Sequence, residues 1–128
     1  MLKKIVYFLA IVCYTSPVME SYHSVHEYLK NGGHEMNIVC DLHMHSALSS
    51  CALEEMTPNN MVNMALLQEL TAIAVTDHNS CRNAAAVMEV AQGTGLVVVP
   101  GLEVQTREEV HVVTLFQSLD DALAMQEE

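Results

Sequence analysis

His43 and His45 stand one residue apart in the stretch Asp41-Leu42-His43-Met44-His45-Ser46. They follow Ile38-Val39-Cys40, an apolar run that reads as the end of a buried strand. Alternate residues of a strand face the same side, so the two imidazoles point one way, roughly 6–7 Å apart along the chain. Two imidazoles so placed can grip one divalent ion or two neighbouring ions. Two ordinary histidines where a strand meets a loop would show the same short pattern. Further residues with ligand chemistry follow at Asp77-His78, Glu103 and His111. Imidazole with carboxylate is a donor set for zinc, manganese or iron rather than calcium. A carboxylate such as Glu103 can be shared by two ions. Two ions about 3.5–4 Å apart bind phosphate, generate hydroxide near neutral pH and stabilise a leaving oxygen. Arg107 is the one basic residue near these positions; contact with substrate and pairing with Glu108 or Glu109 in a turn are both open.

Each candidate has a plainer reading. Asp77 suits the start of the helix that follows, or a role holding a ligand histidine. His78 alone would be a loop histidine. Glu103 follows Pro100-Gly101 at a strand end, which argues against an idle surface carboxylate. His111 lies among Val110, Val112 and Val113 and also fits a satisfied core histidine. Cys51 reads as an inert thiol beside the site or as a soft ligand, with the first preferred.

These residues need elements to position them. Ile38 to Leu42 reads as a first strand, and Ser46 to Met56 as a loop rich in Ser and Ala. Thr57-Pro58 is a helix start, a capping Thr followed by Pro at the first helical position. Met61, Met64, Ala65 and residues 67–70 continue an apolar stripe to Leu70. Ala72 to Val75 is a continuous apolar strand of the kind covered on both faces. A second helix spans about 83–92 and stops at Gly93-Thr94-Gly95. Leu96 to Val99 is a third strand, Arg107-Glu108-Glu109 a charged turn, and Val110 to Phe116 a fourth strand. Ser118, with Asp120 and Asp121 behind it, opens a last helix. Strands alternating with helices predict an α/β fold with a mostly parallel sheet. Chemistry in such folds gathers at the carboxyl ends of the strands. His43, His45, Asp77, His78 and Glu103 all fall there, and His111 lies within the fourth strand.

Composition narrows the function classes. Of 128 residues, 51% are hydrophobic but only 5% aromatic, with no Trp, so a core must come from Val, Ala, Leu, Ile and Met. The formal net charge of −11, with five Lys and Arg in all, argues against a nucleic-acid surface. Bound cations would have to supply the positive charge for a phosphorylated substrate. The cysteines at 13, 40, 51 and 81 show no Cys-x-x-Cys spacing, which argues against a zinc ribbon. They read as reduced thiols of a cytoplasmic protein, with Cys40 in the core.

Residues 1–35 differ from the rest. Lys3-Lys4 before the apolar run 5–14 has the form of a secretory signal, though the run is too short to span a membrane. His23 and His26 read as solvated. An extension upstream of a start at Met36 is the other reading.

Four stretches taken together resemble the PHP (polymerase and histidinol phosphatase) domain. They are Asp41-Leu42-His43-Met44-His45-Ser46, Ala74-Val75-Thr76-Asp77-His78-Asn79, Val99-Pro100-Gly101-Leu102-Glu103 and His111-Val112-Val113. The resemblance covers about 36–126. It implies the N-terminal part of a distorted (β/α)7 TIM-like barrel and metal-dependent phosphoester hydrolysis by a zinc, manganese or iron cluster. It implies metal-ligand positions at His43, His45, His78, Glu103 and His111, with Asp77 as the acidic neighbour in the second motif. Where several family members carry an acidic or histidine ligand in the first loop, this chain has Ser50 and Cys51. The family's later motifs, a further His and an Asp-x-His pair, have no counterpart after His111. The expectation for 36–128 is therefore a fragment of a full-length phosphoesterase. An open strand edge would then be covered by missing sequence or by an oligomer. The alternative is a non-catalytic metal-binding or interaction module of the same family. A small phosphorylated substrate is expected, of a kind the sequence does not specify.

Overall fold

A computed structural model describes residues 38–126, and the expectations for residues 1–35 lie outside them. Seven elements follow in order: β1 (Cys40–Met44), α1 (Pro58–Leu67), β2 (Ala72–Val75), α2 (Arg82–Val90), β3 (Val97–Gln105), β4 (His111–Leu115) and α3 (Leu119–Gln126). The strands form one sheet in the order β1-β2-β3-β4. The fold is α/β, as the alternation predicts.

The sheet is mixed rather than mostly parallel. β1 and β2 pair in parallel, as do β2 and β3, but β4 runs antiparallel to β3 with Gln105 opposite His111. Chain length is the reason. Only residues 106–110 join β3 to β4, and a parallel crossover needs roughly a dozen residues or more.

β3 changes neighbour part-way along. Residues 97–100 pair with β2, and residues 101–105 pair with β4. Pro100, which lacks a donor for a central ladder, sits at this handover. Gly101 follows it because a Cβ there would meet the Thr114 carbonyl oxygen at 2.6 Å. Beyond the end of β2 the chain touches β3 once more, in a bridge between His78 and Glu103. Glu103 thus lies inside β3 rather than just past it.

The core gathers Met61, Val62 and Ala65 of α1, Ile73 and Val75 of β2, Ala84 and Val87 of α2, Leu102 of β3 and Ala122 of α3. β2 is buried along nearly its whole length. β1 differs from the expected buried strand: Ile38 and Val39 before it and Cys40 at its start are exposed, and among the described residues β1 pairs with β2 alone. Cys40 is therefore not a core thiol. Cys40, Cys51 and Cys81 are all free thiols.

Helix ends follow local chemistry. Thr57 caps α1, its hydroxyl accepting from the Asn60 amide, with Pro58 next. The helix stops earlier than the stripe to Leu70 suggests. Glu69 adopts a left-handed conformation (φ 56°) while the Leu70 and Glu69 amides donate to the carbonyls of Ala65 and Leu66. That is a closed C-terminal cap, here built on a residue other than Gly. Ser118 accepts from the Asp121 amide at the start of α3. No helix among the described residues is long and apolar enough to cross a membrane.

Candidate metal centre

Glu103 is the hub of the site. Its side chain is 6% exposed, and four imidazoles surround it. Oε2 lies 3.2 Å from His43 Nε2, 3.0 Å from His45 Nε2 and 3.4 Å from His78 Nδ1, while Oε1 lies 2.9 Å from His111 Nδ1. His43 and His45, reached from β1 and the residue after it, bring their Nε2 atoms to 3.1 Å. The imidazole rings continue in a row, with centroids of His43, His45, His78 and His111 spaced 4.7–5.1 Å apart.

Backbone pairing puts the ligands in place. The Glu103 amide donates to the Asp77 carbonyl, and the Asn79 amide donates to the Glu103 carbonyl. Asn79, itself left-handed at φ 48°, accepts from the Gln105 amide through its side chain. The loop after β2 is thereby zipped to β3, with His78 beside Glu103. The antiparallel hairpin carries His111 back to the same place.

Asp77 holds the floor of the site. It is 1% exposed. Its Oδ1 accepts from the Ser46 amide and the Ser49 hydroxyl, both at 2.7 Å, and Oδ2 accepts from the Ser46 hydroxyl at 2.6 Å. Asp77 does not cap α2, whose first residue follows Cys81 without a side-chain cap. Both of its oxygens are engaged under the loop, where they hold Ser46 and Ser49. Sequence reasoning missed Ser46 and Ser49. Their spacing of three directly after the His-x-His pair was the available signal.

Ser49 passes this order to the ligands. Its Oγ accepts from the His78 amide and lies 3.1 Å from His45 Nδ1. The one hydroxyl proton is committed to Asp77, so Ser49 can only accept from His45. A neutral His45 therefore carries its proton on Nδ1 and its lone pair on Nε2, which faces His43 and Glu103. Burial, chiefly, lowers the His45 pKa below its ordinary 6.5; Glu103 opposes this, His78 and His43 add to it, and Asp77 opposes it. For Glu103, burial favours the protonated acid most. Hydrogen bonds from His43 and His111 and the charges of His43 and His78 together outweigh it and hold the carboxyl below the usual value.

The donor atoms fit a divalent ion. Converging lone pairs repel unless a proton or a cation lies among them. His78 Nδ1 is buried and within ion-pair range of Glu103, yet makes no hydrogen bond. Donors about 2.0–2.2 Å from one ion lie roughly 3.3–3.6 Å apart in a tetrahedral shell and roughly 2.8–3.1 Å apart in an octahedral one. The spacings of His43, His45 and His78 about Glu103 run from 3.0 to 3.4 Å, inside the span of these two geometries. Three groups share close ligand atoms: His43–His45–Glu103, His78–Glu103–His111 and His45–Cys51–His78.

Arg107 is exposed in the turn between β3 and β4, the hairpin whose second strand opens with His111. No ion pair joins it to Glu103 among the described residues.

Comparison with known proteins agrees with this geometry. A sequence profile of the PHP domain matches residues 41–124. The 5'-3' exoribonuclease Rnm of Salmonella typhimurium is 31% identical over 101 residues, covering 71% of this chain and 33% of that protein. Its Escherichia coli counterpart is 31% identical over 83 residues, covering 61% and 27% respectively. The chain spans about a third of the length of these relatives. Among solved structures, an amidohydrolase from Chromobacterium violaceum superposes with a TM-score of 0.56 at 29% identity, covering 69% of this chain and 32% of that one. A protein described as a metal-dependent phosphoesterase from Bifidobacterium adolescentis superposes with a TM-score of 0.50 at 26% identity, covering 62% and 27%.

Proposed function

The chain belongs to the PHP domain family, and from that premise we propose that it hydrolyses phosphate esters with divalent ions held by His43, His45, His78, Glu103 and His111. The observation that carries this reading is the convergence of four imidazoles on one buried carboxylate, with His78 Nδ1 left without a hydrogen bond. When bound, such ions activate water and neutralise phosphate charge.

The residues divide the work. Glu103 offers Oε2 to the His43–His45 side and Oε1 to the His111 side, so one carboxylate serves two ligand groups. Its negative charge offsets part of the cationic charge in a buried place. Ser49 keeps the His45 proton on Nδ1, so that Nε2 stays free to ligate. Asp77 holds Ser46 and Ser49, and through them the loop that aims His45 and His78. Zinc, manganese and iron all suit these donors.

The substrate we propose is a small phosphate ester. The relatives named as exoribonucleases make an RNA 5′ end the competing substrate. Metal analysis and turnover with added manganese or zinc test both, using p-nitrophenyl phosphate and a 5′-labelled oligoribonucleotide on the chain and on His43→Ala. Bound metal and turnover are expected in the parent, with affinity at least about tenfold weaker in His43→Ala. A parent chain that binds no metal refutes the reading. Metal without turnover of either substrate supports a non-catalytic metal-binding module instead.

A further inference from the structure

We propose that Cys51 supplies a thiolate ligand to this centre, making it a mixed nitrogen, oxygen and sulfur site that favours zinc over manganese. The proposal rests on the metal-centre reading above and deepens it.

The Cys51 Sγ lies 3.4 Å from His78 Nε2. Ligand atoms of His45, Cys51 and His78 all fall within 4.8 Å of one another. Two of these three residues also border Glu103, so Cys51, itself exposed, adjoins the cluster. His78 is thus approached at both ring nitrogens: Nδ1 faces Glu103, and Nε2 faces Cys51.

The loop that carries Cys51 is braced. The Ala47 amide donates to the Met56 carbonyl across its base, and the Ser49 and Ala52 amides close turns on Ser46 and Ser49. Ser46 and Ser49 are themselves bound to the buried Asp77. The same carboxylate therefore holds both the His45 side and the Cys51 side of the site.

Neither of the other described thiols belongs to a ligand group: Cys81 is buried in the core, and Cys40, exposed like Cys51, lies at the start of β1. On binding, the Cys51 thiol would release its proton to solvent and bring a second negative charge beside Glu103. A soft thiolate selects zinc over the harder manganese and magnesium ions.

Cobalt(II) added to the chelator-treated full chain separates the possibilities. Visible absorption reports occupancy of the centre, and near-ultraviolet charge transfer reports a sulfur–cobalt bond. Both bands are expected in the parent. Cys51→Ser should lose the near-ultraviolet band, keep the visible one and bind zinc at least about tenfold more weakly. Cys40→Ser should keep both bands. Visible absorption without the near-ultraviolet band in the parent overturns the sulfur ligand and leaves the metal centre standing. A near-ultraviolet band that survives Cys51→Ser also overturns it. No visible absorption at all overturns the centre and the proposal together. Alkylation of the unaltered chain by iodoacetamide gives a readout that needs no variant. Zinc should slow modification of Cys51 at least about tenfold and leave Cys40 unaffected; equal rates at Cys51 with and without zinc overturn the proposal.

Discussion

Asp77→Asn keeps the size of the side chain and removes one acceptor oxygen. In the native chain Oδ1 takes the Ser46 amide and the Ser49 hydroxyl, and Oδ2 takes the Ser46 hydroxyl. An amide oxygen in the Oδ1 place preserves two of these contacts without the charge. The amide nitrogen then faces Ser46 Oγ, which already accepts from Asn83 Nδ2 at 2.8 Å and from the Leu48 amide at 3.3 Å. The Ser46 hydroxyl proton is left buried without a partner, at about 1–3 kcal/mol. Losing the charge from the two remaining bonds adds roughly 0.5–1 kcal/mol each. The expected loss is about 3 kcal/mol, a large part of the roughly 5–15 kcal/mol that holds a domain together. With a slope of about 1–3 kcal/mol per molar urea, the midpoint should fall by roughly 1–3 M. Because His45 and His78 lose their brace, zinc affinity should fall by about 10–100-fold in the same variant. An unchanged midpoint would refute the buried acceptor role. A lowered midpoint with unchanged zinc affinity would show that Asp77 supports the fold without aiming the ligands.

Two other perturbations follow from the same structure. Acid should destabilise the metal-free protein. The Glu103 carboxyl titrates lower when folded, so its contribution is full above its ordinary 4.5 and is lost as pH falls through the folded value. His45 is harder to protonate when folded, so the unfolded chain takes up the proton first below 6.5. Both act in one direction, and the urea midpoint in chelator should decline from about pH 7.5 to about pH 4; a midpoint that rises toward acid contradicts this. At the end of α1, Glu69→Gly should stabilise by about 0.5–1 kcal/mol, because Gly adopts the left-handed conformation without the Cβ penalty. Thermal or urea unfolding measures it, and a loss of stability would mean that the Glu69 side chain supports the cap.

Much of the site was legible from residue types and spacing. The capping pair Thr57-Pro58, the apolar stretch 72–75 and Ser118 mark element starts by local chemistry, and the structure has them in those places. The four short motifs carried the family because each couples a strand end to a ligand type. Local sequence could not reveal that, among the described residues, β1 has β2 as its one strand neighbour, and Cys40, expected in the core, is exposed. Exposure depends on which strand becomes a neighbour, and no residue of β1 encodes that alone. The reversal of β4 was within reach, since residues 106–110 are too few for a crossover.

By itself the sequence determined the donor chemistry: imidazoles at 43, 45, 78 and 111 and a carboxylate at 103, in a chain with five Lys and Arg. Only the tertiary structure decided which groups meet. His111 begins β4, and in a parallel strand it would start at the far end of the sheet, roughly a strand length away. The antiparallel turn sets it opposite Gln105 and returns its Nδ1 to within 2.9 Å of Glu103. The same folding buries Asp77 beneath two serines and brings Cys51 against His78, contacts between residues 27–31 positions apart. Spacing along a chain specifies side-chain direction within one strand, whereas meeting across strands depends on register and on how the loops are tied down.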